Sequence, residues 1–138
     1  MASPLPHGSV QRRERDVAWH FELPYPPSVN HYWRRVGART LISRAGRAFR
    51  RDVCSLLAAR QVRPLDGPLA VEIEVHPPDC RRRDIDNLPK ALLDALQHGG
   101  AYHDDSQIVV LSITKRDVVA GGKTFVSIQQ TEAQSEAC

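Results

Sequence analysis

The stretch from residue 69 to residue 96, LAVEIEVHPPDCRRRDIDNLPKALLDAL, contains a strand, a charged loop and a helix in succession. Its first eight residues alternate between apolar and polar side chains, which predicts a strand with one buried face. We place Val71, Ile73 and Val75 on that face. The loop sets three arginines directly against two aspartates, although ordinary protein surfaces intersperse the two signs. This junction therefore indicates a ligand that carries both a metal and an anion.

The second half of this stretch predicts a helix with a continuous apolar stripe. The stripe is formed by Leu88, Leu92, Ala95 and Leu96. Pro89 fits in the first turn, where its missing N–H leaves no hydrogen bond unmade. Gly99 and Gly100 then supply the C-terminal stop of the helix.

Further elements on either side complete the predicted fold. Residues 17–23 alternate well enough for a strand, and three prolines keep the next segment extended. A basic amphipathic helix is predicted within residues 43–62. Residues 107–118 and 123–130 flank the glycine-containing VAGGK and predict a hairpin of two strands. The order β-α-β-α-β-β predicts an α+β fold, a single domain with a mixed β-sheet covered by two main helices.

The length of 138 residues fits one domain. We expect a disordered N-terminal extension at residues 1–16, a folded domain at 17–130 and a disordered C-terminal tail at 131–138. The N-terminus lacks the apolar core of a secretory signal, and the apolar runs are too short for a membrane span. We therefore expect a cytoplasmic protein that makes no membrane contact.

Basic residues are concentrated in one part of the chain. From residue 34 to residue 63 there are nine arginines against one acid, Asp52. Such a local field attracts polyanions, although a solvated helix face could carry the same run. On the predicted basic helix, four arginines lie largely off the apolar stripe: Arg44, Arg47, Arg50 and Arg51.

Asp84 and Asp86 are candidates for a metal site. Side chains two residues apart lie on one side only in an extended backbone, and not in a helix. We expect Asp86 to be the N-cap of the following helix, because an N-cap residue keeps extended dihedral angles. Two carboxylates beside arginines suit Mg²⁺, which binds through few carboxylates together with substrate phosphate.

Two further groups could complete this site. Asp104 and Asp105, in YHDDSQIVV, precede the penultimate strand and offer a third acid. Lys90 lies one helical turn after Asp86 and could hold a phosphate or stabilise a transition state. The set fits metal-assisted phosphodiester hydrolysis. The alternative is structural: Asp86 caps the helix, Lys90 pairs with Asp86 or Asp94, and HDDS is a turn.

Several segments agree, in order, with one known family. The segments are LPYPPSVNHYWRR, RTLISRAGRAFRRDV, RRRDIDNLPKALLDAL and YHDDSQIVVL. Over roughly residues 21–129 they closely resemble the RusA family of Holliday junction resolvases. The resemblance implies a RusA-like nuclease domain at 17–130. It also implies a homodimeric, Mg²⁺-dependent endonuclease that resolves four-way DNA junctions by paired symmetric nicks, in DNA recombination and repair.

The resemblance also implies a role for individual positions. Asp84 and Asp86 match paired metal ligands, and Asp105 matches the third. Lys90 matches the lysine needed for cleavage, and Asn87 matches an asparagine that we expect to order the site. The matching arginines expected to contact DNA are Arg81, Arg82 and Arg83. We expect DNA contacts also from the basic helix, through Arg44, Arg47, Arg50 and Arg51.

Two other functions stay open. A related Mg²⁺ nuclease would act on flaps or forks, because the same acids and basic surface serve any branched DNA. A non-catalytic DNA-binding module would instead carry the acids for structure alone. We interpret His103 as a loop histidine rather than a phosphate contact. Trp33 is interpreted as an interior or interface aromatic rather than a wedge that stacks on bases.

Overall fold

A computed structural model describes residues 18–132. The predicted extension at 1–16 and residues 133–138 of the predicted tail lie outside the described residues. The strands are β1 (Ala18–Leu23), β2 (Trp33–Val36), β3 (Arg39–Ile42), β4 (Leu69–His76), β5 (Ile108–Lys115) and β6 (Lys123–Gln130). The helices are α1 (Val29–Tyr32), α2 (Arg44–Ala59) and α3 (Pro89–His98), with 3₁₀ turns at Ile85–Asn87 and Asp105–Gln107.

The main sheet has the strand order β1-β6-β4-β5. Strand β4 pairs in parallel with β5 and antiparallel with β6, and β1 pairs antiparallel with β6. The predicted α+β fold, with a mixed sheet and two main helices, is confirmed, because α2 and α3 are the two long helices. Within residues 18–132, no helix combines the length and the apolar character needed to cross a membrane.

The predicted hairpin between the last two strands is wrong, because β4 lies between β5 and β6. The connection follows the end of β4 before it turns: the Arg116 N–H donates to the Val75 carbonyl at 2.8 Å, and the Val119 N–H donates to the Pro77 carbonyl at 2.9 Å. Gly122 completes the turn at φ +75°, where a Cβ atom would lie 2.6 Å from Tyr25 Cβ. The glycine turn is therefore present, but the strand that follows it, β6, pairs with β4 and not with β5.

The core lies between the sheet and the two long helices. The residues predicted to face inward from β4, Val71, Ile73 and Val75, are all buried. So is the predicted stripe of α3, formed by Leu88, Leu92, Ala95 and Leu96. Burial of each large apolar side chain contributes about 1.5–3 kcal/mol relative to its exposed state. These contacts fix α3 against the sheet and thereby fix the side chains on its outer face.

Two short elements lie between β1 and α2, where the sequence predicted no helix or strand. Helix α1 leads directly into the β2–β3 hairpin, which is separate from the main sheet. The first turn of α2 packs closely on both: a Cβ atom at Gly46 would lie 2.4 Å from the Tyr32 carbonyl oxygen and 2.9 Å from Ile42 Cγ1. Only glycine fits at this contact, which holds the base of the hairpin against α2.

Candidate active site

A cleft of about 450 Å³ borders α3. It is lined by Asp86, Lys90, Asp94, Asp105, Trp33, Pro89 and Leu93. Lys90 and Asp94 lie one turn apart on α3, Asp86 comes from the 3₁₀ turn before the helix, and Asp105 begins the 3₁₀ turn before β5. The fold therefore brings together three of the four residues that were predicted to be catalytic.

Asp84 lines a separate groove of about 400 Å³. The groove also contains Asn87 and the arginine run, Arg81, Arg82 and Arg83. Asp84 has extended dihedral angles, with φ −86° and ψ 129°, and its side chain caps no helix. The groove and the cleft are therefore lined by residues only two positions apart in the chain, Asp84 and Asp86.

The prediction that Asp86 is an extended N-cap is wrong. Asp86 lies inside the 3₁₀ turn Ile85–Asn87, and α3 begins three residues later at Pro89. Pro89, at the start of α3, has no N–H to donate to the Ile85 carbonyl. The Leu88 N–H makes the shorter-range bond to the Ile85 carbonyl instead, at 3.4 Å. Asp84 and Asp86 therefore do not share one side of an extended segment.

The residues of the cleft fit a magnesium ion in their chemistry, although not as a preassembled triad. Within residues 18–132, no three histidine, cysteine, aspartate or glutamate side chains form a group that could hold a metal ion. Asp86 and Asp105 are nevertheless exposed oxygen donors on one cleft. Mg²⁺ is commonly bound by one or two carboxylates, with waters and substrate phosphate as the other ligands. The assignment of Asp84, Asp86 and Asp105 as its ligands stays a prediction.

Asp105 is held against α3 by two contacts. Its N–H donates to the Gln97 side-chain oxygen at 3.0 Å. The Tyr102 hydroxyl lies 2.8 Å from Asp105 Oδ1 and 2.6 Å from the Leu93 carbonyl oxygen, so two acceptors share its one proton. Burial, together with the nearby Asp105 charge, raises the pKa of Tyr102. Tyr102 therefore stays a neutral donor that orients the Asp105 carboxylate.

The acids of HDDS have different roles in the structure. Asp104 caps the 3₁₀ turn by accepting the Ser106 N–H at 2.9 Å, and hydrogen bonding from Ser106 lowers the pKa of the Asp104 carboxyl. The Gln107 carboxamide accepts the N–H groups of His103 and Asp104, at 2.7 and 2.9 Å. The same carboxamide donates to the carbonyls of residues 65 and 67, each at 2.9 Å. Asp104 thus has the structural role that the alternative assigned to HDDS, since it stabilises a turn. The Asp105 carboxylate instead lines the cleft.

Asp94 joins the cleft to a half-buried polar cluster. Its carboxylate forms an ion pair with Arg50 at 2.7 Å and accepts the Tyr32 hydroxyl proton. Burial and the hydrogen bond to Asp94 raise the pKa of Tyr32 to about 12. Burial lowers the pKa of Arg50, but the hydrogen bonds to Asp94 and Tyr32 outweigh it, so that this pKa is raised overall. The Arg50 side chain is thus held by contacts with Asp94 and Tyr32 inside the protein.

The alternative pairing of Lys90 is not what the structure contains. Asp94 pairs with Arg50, and within residues 18–132 the Lys90 ammonium forms no ion pair. It therefore lines the cleft without a carboxylate in ion-pair contact among the described residues. Sequence reasoning considered Asp94 only as a partner for Lys90, although its spacing four residues later places it on the same helix face.

The arginines predicted to contact DNA differ in how available they are. Arg81 and Arg82 are exposed, and Arg81 lies 3.8 Å from Asp79 in a long ion pair. Arg83 is half-buried, forms the closer ion pair with Asp79 at 2.6 Å and lies 5.9 Å from the centre of the Tyr25 ring. The hydrogen bond from Arg83 lowers the pKa of Asp79 to about 2. The arginines of α2 that are exposed are Arg44, Arg47 and Arg51.

Two other predicted roles concern the surroundings of the site. The Asn87 side chain lines the arginine groove, and within the described part of the chain it forms no hydrogen bond. Its ordering role therefore stays a prediction. His103 lies outside the cleft and pairs with Asp66 at 2.8 Å, which agrees with a loop histidine. The Trp33 side chain packs partly buried against the core and also borders the cleft.

The sequence matches a known family along most of its length. The model of the family described as endodeoxyribonuclease RusA matches residues 24–129. The crossover junction endodeoxyribonuclease rusA of Enterobacteria phage 82 is 41% identical over 113 residues, which cover 81% of this chain and 94% of the phage protein. The protein of the same name from Enterobacteria phage HK97 is 40% identical over 119 residues, covering 83% and 97%.

A bacterial relative matches equally well. The crossover junction endodeoxyribonuclease RusA of Escherichia coli strain K12 is 40% identical over 109 residues, covering 78% of this chain and 91% of the relative. The family match spans the cleft, the arginine groove and both long helices. The chain thus belongs to the RusA family of endodeoxyribonucleases.

Proposed function

We propose that this enzyme is a Mg²⁺-dependent nuclease that resolves four-way DNA junctions by paired symmetric nicks. The observation that carries the proposal is the cleft in which Asp86, Lys90 and Asp105 meet, next to a groove lined by arginines. The names of the relatives support the same substrate, since they are crossover junction endodeoxyribonucleases. We include a cytoplasmic location in the proposal, since the proposed substrate is DNA.

Each residue of the cleft would have a distinct task. Asp86 and Asp105 would hold the magnesium ion, with Asp84 approaching from the groove as a third acid. When bound, the ion would supply a hydroxide-like nucleophile and neutralise charge on the scissile phosphate. Lys90, which has no partner carboxylate within residues 18–132, would contact a phosphate oxygen in the transition state. Tyr102 would keep Asp105 oriented through its hydrogen bond.

Cleavage of synthetic DNA tests this proposal directly. One preparation is incubated with four-way, three-way, flapped and linear DNA of matched sequence, with and without Mg²⁺. Junction resolution predicts that the four-way DNA is cut fastest, at two symmetric positions, and only with the metal. Equal rates on all four substrates would contradict the junction assignment, and faster cutting of flaps would favour the alternative branched substrate. Cleavage without any divalent cation would contradict the metal requirement.

Paired nicks require two active sites, and strand β5 offers a surface for a second copy of the chain. Among the described strands β5 pairs only with β4, so its other edge is open. Three consecutive apolar residues on it are exposed: Val109 by 47%, Val110 by 51% and Leu111 by 43%. An open apolar edge favours pairing with another chain. We therefore include a homodimer, formed through β5, in the proposal.

Val110→Lys is expected to convert this dimer into a monomer, because charge on an edge strand opposes edge pairing. Analytical ultracentrifugation measures the mass, and a junction cleavage assay counts the nicks made in each binding event. We expect single nicks to replace paired ones. Val118→Lys changes a similarly exposed residue outside the strands and serves as the control. If the Val110→Lys variant is still a dimer, β5 is not the interface.

Arg82→Ala is expected to weaken binding to every DNA by a similar factor, since a phosphate contact carries no sequence information. The slope of log K against log salt should fall in magnitude by about 1, which corresponds to one lost phosphate contact. Fluorescence anisotropy at several salt concentrations measures both quantities. Arg63→Ala is the matched control, because Arg63 is exposed but lines neither the cleft nor the groove. An unchanged salt slope for Arg82→Ala would place this side chain away from DNA.

A further inference from the structure

The β2–β3 hairpin is an isolated two-stranded ribbon. Its strands pair with each other and not with the main sheet. The connection consists of Gly37 and Ala38, and φ of +60° at Gly37 suits a tight hairpin turn that begins with glycine. A two-stranded hairpin alone is at best marginally stable in water. The ribbon therefore needs support from the rest of the protein.

That support is confined to the base of the hairpin. Trp33 and Ile42 are opposite each other in the first pair and pack against the core. The Trp33 ring meets Tyr32 edge-on, with 4.9 Å between ring centres, and the Ser43 N–H donates to the Tyr32 carbonyl at 2.8 Å. Beyond this first pair, every residue from 34 to 41 is exposed. The outer part of the ribbon thus projects from a fixed base.

The outer part has an unusual face. Strand alternation places Trp33 and Ile42 on the face that meets the core, so the other face carries the pairs Arg34–Leu41 and Val36–Arg39. Val36 is 46% exposed and Leu41 is 40% exposed. Residues 33–42 contain no acid. Within residues 18–132, neither of the two arginines on this face forms an ion pair. Two aliphatic side chains thus lie in solvent between two uncompensated guanidinium groups.

The hairpin also begins at the cleft. Trp33, at its base, lines the cleft together with Asp86 and Lys90. A DNA strand with its phosphate in the cleft would therefore pass the ribbon. A two-stranded ribbon has the dimensions of a DNA groove. Arginines attract the phosphates on either side, while exposed aliphatic side chains gain the largest apolar contact where the face of a base is unstacked.

We propose that the hairpin places Val36 and Leu41 against unstacked bases at the branch point of the DNA, and that this contact makes the chain prefer branched over linear DNA. This inference rests on the proposed function, since it assumes DNA in the cleft. In linear duplex the base faces are covered by stacking, so the aliphatic side chains find less apolar surface there. Arg34 and Arg39 find phosphates in both kinds of DNA. The apolar pair therefore determines selectivity, and the arginines determine affinity.

Binding without cleavage tests this inference. The full chain is mixed, in the absence of divalent cations, with a four-way junction that carries 2-aminopurine at the branch point, or with a linear duplex of the same sequence. For Val36→Asn with Leu41→Asn we expect junction affinity to fall by about tenfold, linear affinity to change by less than about twofold, and the 2-aminopurine fluorescence increase to disappear. Because no cutting is measured, the result does not depend on the roles of Asp86, Lys90 or Asp105.

Three further variants make the outcome clear. Val118→Asn, at a site that is 45% exposed and outside the hairpin, should bind both DNAs as the wild type does. Arg34→Gln with Arg39→Gln should weaken binding to both DNAs alike. Val36→Thr keeps the shape and strand preference of valine, so it tests the apolar contact even if the double asparagine variant does not fold. We expect it to lower junction affinity alone, by about threefold.

Two results would overturn the inference. One is an equal loss on junction and linear DNA in folded Val36 and Leu41 variants, which would make the hairpin a general phosphate contact. The other is an unchanged junction affinity in those variants. Equal affinity of the wild-type chain for the two DNAs would contradict the junction assignment as well. Loss of cleavage in Asp86 variants, by contrast, would leave the hairpin inference untouched.

Discussion

Asp86→Asn is expected to lower the rate of junction cleavage by about 10²–10³-fold while junction binding is retained. The amide keeps the size of the side chain but removes the negative charge that a divalent cation requires. Asp86 is exposed and forms no ion pair within residues 18–132, so its replacement should not disturb the fold. Binding to DNA should stay equal or become tighter, because one repulsion between the protein and phosphate is lost. Single-turnover cleavage and fluorescence anisotropy measure the two quantities separately.

Asp117→Asn is the matched control for this experiment. Asp117 is also exposed, but its side chain lines neither the cleft nor the arginine groove. We expect it to cleave as the wild type does. Wild-type rates in Asp86→Asn would refute the catalytic assignment and favour a DNA-binding module with structural acids. Lost junction binding in a folded Asp86→Asn variant would instead give the carboxylate a part in holding DNA.

Gln107→Leu is expected to lower the free energy of unfolding by about 2–3 kcal/mol. Leucine is similar in size, but it can neither accept the two N–H groups nor donate to the two carbonyls that the Gln107 carboxamide satisfies. The melting temperature should fall by about 10 °C. Cleavage should also slow at temperatures where the variant is folded, because the turn that begins with Asp105 loses its attachment to residues 65–67.

Urea unfolding and differential scanning calorimetry measure the stability change in Gln107→Leu. Gln129→Leu provides the control, since within the described residues its side chain forms no hydrogen bond and it lies on β6. A loss smaller than about 0.5 kcal/mol in Gln107→Leu would mean that water replaces the lost hydrogen bonds at little cost. In that case the DDSQ segment is held by other contacts.

The elements that the sequence predicted well are those with strong periodicity and a single buried face. Strand β4 and helix α3 show this best, because their apolar residues recur at the spacing of a strand or a helix and all face one core. The β2–β3 hairpin was missed, since strands of four residues with exposed arginines bury too little to leave a pattern. The pairing of β5 also could not be read from its own sequence. A glycine turn shows where the chain reverses but not which strand it then joins.

For the site, sequence reasoning identified residues better than it placed them. Asp86, Lys90 and Asp105 do meet in one cleft, but Asp84 lines the neighbouring groove. The difference arises at the 3₁₀ turn Ile85–Asn87, which contains Asp86 where an extended N-cap had been expected. Tyr102 had no visible role in the sequence, because its contact with Asp105 depends on how the loop folds back onto α3.

The cleft residues come from separate parts of the chain, and this separation determines when the cleft can form during synthesis. Asp86 precedes α3 and Asp105 follows it, and the parallel pairing of β5 with β4 closes the loop between them. Parallel strands of this kind join late, because the intervening chain must first be ordered. A polypeptide that is still emerging from the ribosome therefore has no complete cleft. If Asp105 acts as we propose, nuclease activity arises only once synthesis has passed β5.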